Sequence, residues 1–230
     1  MTFSMLARDA DTGQLGVAVA TSDLAVGAHV PFAEPGVGVA ITQHRTDPRL
    51  GPRMLELLHG GAGARDAVNT AASETPHRGW RQLAVLATSG DYAAYAGEGV
   101  APAVAMLPGD GCLVVGNMLA SGAVAPAIAA GFASATGELA GRLVAGLQAG
   151  LAAGGETRPL RSAALLVVGE HDFPLVDLRI DDHDQPVSAL EALWHAYEPW
   201  EEDFVRRALD PEGANGTPNG AHPAPASTTT

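Results

Sequence analysis

The sequence predicts an α+β fold in which two antiparallel sheets stack face to face and helices cover the outside. Three observations carry this reading. Strand signals come as neighbouring pairs joined by turn chemistry, at 2–8 with 15–20, 83–87 with 92–96, and 162–168 with 174–180. Helical periodicity comes in pairs as well, at 48–60 with 64–72 and twice within 122–152. The connections within each pair are short, which favours antiparallel neighbours over crossover units.

Taken in order, Thr2, Ser4, Leu6 and Arg8 alternate with Phe3, Met5 and Ala7, so the first strand presents two different faces. Asp9-Ala10-Asp11-Thr12-Gly13 turns the chain into a returning strand at 15–20. The alternation of small and branched residues at 36–42 predicts a third, buried strand, after a stretch bracketed by Pro31 and Pro35. Pro48 is placed to open a helix carrying Leu50, Met54, Leu57 and Leu58 on one face, with Gly60-Gly61 at its end. A short alanine-rich helix follows at 64–72. Thr88-Ser89-Gly90-Asp91 joins the strands at 83–87 and 92–96, and 112–117 is another buried strand. Residues 122–152 read as two helices broken near Gly137, apolar enough to suit a dimer interface. After the last strand pair, Ser188 is expected to cap one helix running to about Leu209.

The expected organisation is one domain over 1–209. A tail over 210–230, rich in Gly, Pro, Ala and Thr, cannot bury enough apolar surface to offset its ordering entropy and is expected to be disordered.

Composition excludes several functions. The 26 acidic residues against 13 basic ones give a net charge of −13, the wrong sign for a nucleic-acid partner. Neither a membrane span nor a signal-peptide pattern is present, and a cytoplasmic location is the expectation. One cysteine, Cys112, leaves no intrachain disulfide and no multi-cysteine metal site. All 13 basic residues are arginine. Without lysine there is no P-loop, no Schiff base and no lysine general base, so a base must come from histidine, a carboxylate or the terminal amine. Asp181-Asp182-His183-Asp184 invites a metal reading, but consecutive residues of a strand point to opposite faces, so neither metal nor cofactor is expected.

Several blocks resemble a known family. Thr2-Phe3-Ser4, Ala7-Arg8-Asp9, Thr12-Gly13, 15–20, Ala25-Val26-Gly27, Gly36-Val37-Gly38, Gln43, Gly51-Pro52, Gly116-Asn117-Met118-Leu119, 162–168 and 176–183 are similar, in this order, to domain-of-unknown-function family 1028. That family is placed in the superfamily of N-terminal-nucleophile (Ntn) hydrolases. The resemblance implies a four-layer αββα sandwich and hydrolysis of a C–N amide bond in a small peptide-like, amide or ureido substrate. Asp23 departs from the pattern, standing where a lysine is common.

The chemistry would then rest on Thr2. Once Met1 is removed, its hydroxyl is a nucleophile and its α-amine a base on the same residue. Ser22, at the end of the second strand, is the candidate to orient that amine, and Asn117 the candidate oxyanion donor. Asp23, Gln43, His44 and Gly116 are the candidate substrate contacts. A Cys112–His hydrolase is the enzymatic alternative. The same fold could instead serve as a non-catalytic binding or assembly module, or as a ring-forming threonine peptidase. A homodimer or higher homo-oligomer is the expected assembly.

Overall fold

The computed structural model describes residues 1–214. The expected tail from 210 therefore lies, from 215 onward, outside the described residues. Contacts divide the chain into two compact units, Met1–Trp194 and the segment from His195.

The first unit is a four-layer αββα sandwich. One sheet has six strands, β1 (Thr2–Arg8), β2 (Leu15–Thr21), β7 (Ala105–Gly109), β8 (Cys112–Asn117), β9 (Ser162–Val168) and β10 (Pro174–Ile180). Their order is β10-β9-β2-β1-β8-β7, with every neighbour antiparallel. The other sheet has four, β3 (Pro31–Glu34), β4 (Gly38–His44), β5 (Arg81–Ala87) and β6 (Tyr92–Ala96), in the order β3-β4-β5-β6. The first strand is thus central, hydrogen-bonded to β2 on one side and to β8 on the other.

The alternation read from the first eight residues decides what each face touches. Leu6 points between the sheets, into a core with Val17, Val19, Val39, Ile41, Leu113 and Val115. Phe3 and Met5 point outward, under helices α3 (Val124–Ser134) and α4 (Leu139–Ala152). A Cβ at Gly146 would stand 3.3 Å from the Met5 methyl, so this glycine lets α4 settle on β1. On the far side, α1 (Leu50–His59) and α2 (Ala64–Glu74) cover the four-stranded sheet through Leu50, Met54, Val68 and Ala71. Val124, Ile128, Phe132, Leu143 and Leu147 are buried within the chain's own core. The apolar stretch at 122–152 therefore covers a sheet of the same chain, and its apolar face is not the free dimer surface that the sequence suggested.

Two strands went unrecognised in the sequence. Both β3 and β7 lie at sheet edges, β3 opening with Pro31 and β7 containing Pro108, as edge strands permit. The final helix also differs from expectation. Helix α5 (Pro186–Tyr197) opens on Pro186, with Ser188 inside its first turn, and gives way to a 3-10 turn at Glu198–Trp200. Pro199 accounts for the break, since it offers no N–H and its ring crowds the preceding turn. In the second unit, α6 (Glu201–Leu209) follows, with Phe204 stacked on Tyr197 at 5.2 Å and Arg207 ion-paired with Asp203. No helix among the described residues is long and apolar enough to cross a membrane.

A chain of buried polar side chains runs through the inter-sheet layer. Ser4 donates to Gln43 Oε1 at 2.7 Å, and Gln43 Nε2 donates to Gln82 Oε1 at 2.8 Å. Asn117 Nδ2 donates to the same oxygen at 2.9 Å. Gln82 Nε2 in turn donates to the carbonyls of Gly116 and Ala105. All four side chains are fully buried, so each bond satisfies a group that water cannot reach. Gln82 ties the two sheets together at the end where β1 begins. Replacing it, Gln82→Ala, leaves two buried amide donors and two carbonyls short of a partner, and we expect a loss of about 3–5 kcal/mol. Urea denaturation measures this; a loss below about 1 kcal/mol would mean the chain of bonds is dispensable.

Candidate functional site

The site is built where several strand ends meet. Register places Thr2 directly opposite Thr21 of β2 and Asn117 of β8, so its backbone is bracketed on both sides. Its side chain points into the inter-sheet layer, as Ser4 and Leu6 do further along the strand, and it is 5% exposed.

Met1 caps this position and is itself held at three points. Its carbonyl accepts a hydrogen bond from the Thr21 hydroxyl, its sulfur receives the Thr157 hydroxyl at 2.8 Å, and its α-ammonium stands 4.0 Å from Glu156 Oε2. The Thr21 hydroxyl has one hydrogen, directed to the Met1 carbonyl. In the 3.1 Å contact between the two hydroxyls, Thr2 is therefore the donor. Removing Met1 would free the Thr21 hydroxyl from its acceptor beside the exposed Thr2 amine.

A cavity of about 330 Å³ opens over Met1. Ser22 and Asp23 enter it from the end of β2, His44 and Arg45 from the end of β4, and Met118 from the end of β8. Trp80 and Arg158 complete its rim. His44 Nδ1 donates to the Trp80 carbonyl at 3.0 Å while Nε2 accepts from the Ala101 N–H at 3.3 Å, an arrangement served by the neutral tautomer. Its ring lies parallel to the Trp80 indole, with centroids 6.3 Å apart. Both His44 (φ 69°) and Met118 (φ 54°) adopt left-handed backbone, which side chains other than glycine rarely tolerate. Such strain clusters where a chain must present groups to a ligand.

The candidates named from sequence separate into two sets. Thr2, Ser22, Asp23, His44 and Asn117 lie at or beside the cavity. Gln43 does not, because both ends of its amide are committed to the buried inter-sheet chain. Gly116 also faces away. It alternates with Asn117 on β8, and a Cβ there would stand 2.8 Å from Leu119, so its smallness accommodates that leucine and not a substrate. Ser22 is one residue past the position opposite Thr2, which is Thr21; its hydroxyl and amide instead face Glu156. Asn117 stands across from Thr2 with its Nδ2 held by Gln82 and its Oδ1 buried without a donor.

Cys112 pairs with Ala7, five residues along β8 from Asn117, or about 17 Å from the strand end. Burial pushes its thiol up to about 11, which rules against the cysteine alternative. The acidic run near the end of β10 is partly paired within the chain. Asp182 pairs with Arg161, Asp181 with Arg179, and His183 Nδ1 accepts from the Gln185 N–H.

Glu156 was missed in the sequence. It follows Gly154-Gly155 at the end of α4, a place that reads as an ordinary loop acid. A bridge between Leu119 and Glu156 brings it beside the end of β8, its side chain wholly buried and both oxygens short of a well-formed hydrogen bond. Burial pushes its carboxyl up to about 8, while the Met1 ammonium and the Ser22 donors pull it down and Asp23 pushes it further up. A raised carboxyl binds its proton in the folded chain between the ordinary value of 4.5 and about 8, whereas the unfolded chain has released it. Stability from this group is therefore full below about pH 4.5 and lost as pH rises through 8. Glu156→Gln should flatten the decline in denaturation midpoint between pH 5 and pH 8; an unchanged pH slope would show that Glu156 is ionised throughout.

The family model described as a family of unknown function, DUF1028, matches residues 2–190. No curated protein matches the chain. Among solved structures, protein SPO2555 from Silicibacter pomeroyi, of the same family model, is 34% identical and superposes with a TM-score of 0.82 over 90% of this chain and 94% of that one. Looser superpositions occur on the Anbu (Gly-1) mutant from Hyphomicrobium sp. strain MC1, at 15% identity and a TM-score of 0.42 over 91% of this chain and 98% of that one. Anbu (ancestral beta-subunit) from Yersinia bercovieri gives 9% and 0.39 over 89% and 97%. With sequence and structure agreeing across nearly its whole first unit, the chain belongs to the DUF1028 family.

Proposed function

We propose that this protein is a hydrolase that cleaves the C–N bond of a small amide, peptide-like or ureido substrate, using Thr2 as an N-terminal nucleophile after Met1 has been removed. The observation that carries the reading is the placement of the Met1–Thr2 bond. It lies beneath an open cavity, while Thr2 itself is clamped between Thr21 and Asn117 in the middle of a sheet. Loss of Met1 converts a buried threonine into the wall of that cavity, with hydroxyl and amine presented together.

In the first step the Thr2 Oγ attacks the substrate carbonyl carbon and its proton passes to the Thr2 amine. A terminal amine ordinarily titrates near 7.7–8.0, so a usable neutral fraction exists at neutral pH. The second Nδ2 hydrogen of Asn117, aimed by the bond to Gln82, is the donor for the developing oxyanion. Collapse breaks the C–N bond, the protonated amine gives its proton to the leaving nitrogen, and an ester to Thr2 remains. Water then adds to the ester with the amine again as base, releasing the acid and restoring the hydroxyl. The orphan Oδ1 of Asn117 offers the amine an acceptor opposite Thr2, and the Thr21 hydroxyl provides another contact. These two residues hold amine and hydroxyl in place, the role the sequence reading gave to Ser22.

Intact mass spectrometry of the purified chain should give a mass short by one methionine. Thr2→Ala should lower turnover across a panel of amides, hydantoins and ureides by about 10³-fold or more, with the thermal midpoint nearly unchanged. An electrophilic probe should label Thr2 in the wild type and nothing in the variant. Quantitative retention of Met1 would defeat the proposal.

A further inference from the structure

We propose that the cavity over Thr2 selects substrates carrying a free carboxylate, which Arg45 and Arg158 hold. This rests on the hydrolase reading for the reaction and adds the chemical class of the substrate.

Acids outnumber arginines two to one in this chain, 26 to 13, so an arginine can readily find a carboxylate. Elsewhere they do. Arg49 and Arg81 hold Asp47, Arg142 holds Asp9, Arg161 holds Asp182 and Arg179 holds Asp181. Arg45 and Arg158 reach no carboxylate among the described residues, although each has one close in sequence. Asp47, two residues after Arg45, is engaged by two other arginines, and Glu156, two residues before Arg158, is buried against the Met1 ammonium. Asp23 shares the cavity wall and pairs with neither. Two arginines without a carboxylate partner among the described residues therefore line one cavity from different loops, after the ends of β4 and α4.

Arg45 is also steadied. Its guanidinium carbon stands 6.0 Å from the Trp80 ring, which is 50% exposed and stacked on His44. A guanidinium presents paired donors matched to the two oxygens of a carboxylate. The volume of about 330 Å³ suits a small molecule. Asp23 on the wall disfavours a second negative charge, which selects a monoanionic carboxylate over a phosphate dianion.

The test is calorimetric binding to full-length Thr2→Ala protein, which holds a ligand without turning it over. The probes are N-acetyl-alanine and N-acetyl-leucine, their primary amides, and inorganic phosphate. The acids should bind at least about tenfold more tightly than the amides. Arg45→Gln and Arg158→Gln should each weaken acid binding by about tenfold while leaving amide binding unchanged; both side chains are exposed, so the thermal midpoint should move little. Equal binding of acids and amides, an acid preference that survives both substitutions, no binding of either acid, or phosphate bound more tightly than the acids would each overturn the assignment. Absence of turnover by the Thr2-intact enzyme, with acid binding intact, would count against the hydrolase and leave this assignment standing.

Discussion

Everything at the site depends on one constraint, the pinning of a chain end in the centre of a sheet. A strand terminus ordinarily frays because its backbone groups are hydrated as easily as they are paired. Here β1 has a partner on each side from its first residue, so Thr2 cannot move without breaking two ladders. Its neighbours are fixed in turn, with Phe3 and Met5 buried under α3 and α4 and Leu6 locked in the inter-sheet core. A β-branched side chain on such a backbone has little rotational freedom left. The stability of the sandwich thereby becomes positional accuracy at one hydroxyl, which is the preorganisation an attacking group needs.

Electrostatics at that end of the sheets is arranged around a buried acid. Isolated from water, the Glu156 carboxylate is costly, and the available remedies are a proton or a cation. Met1 supplies a cation at 4.0 Å. Under the proposed loss of Met1 that ion pair goes, and the Ser22 donors remain.

Much of the layout was legible because it follows from periods of two and 3.6. The central strands and the paired helices showed in the order of apolar residues, whereas the place of the first strand at the centre of its sheet comes from tertiary pairing. What escaped had weak local signals. The edge strands β3 and β7 are short, and each carries a proline that reads as loop. The kink at Pro199 was masked by continued apolar periodicity across it. At the site, alternation alone separates Asn117 from Gly116, yet the family resemblance drew both together as one motif. Gln82, Glu156, Arg45 and Arg158 left no local mark at all. A glutamine opening a strand and an acid after a Gly-Gly loop acquire meaning only when tertiary pairing buries them, and an arginine's lack of a partner cannot be read from sequence.

The overall charge and the local charge of the cavity then pull in opposite directions. A net charge of −13 repels anions at long range, but at physiological ionic strength that field fades over about 8 Å. Within the cavity the potential is set by groups closer than this, namely Arg45 and Arg158, which pair with no carboxylate among the described residues, and Asp23 on the wall. On the proposed reading an anion meets weak repulsion on approach and two guanidinium groups on arrival. Under the proposed specificity, discrimination therefore comes from the bound state more than from the encounter. A neutral amide forgoes both arginine contacts, and an anion with a second negative charge meets Asp23. The same residues that leave the chain acidic overall thus narrow what the cavity will hold to a single negative charge beside the reacting carbonyl.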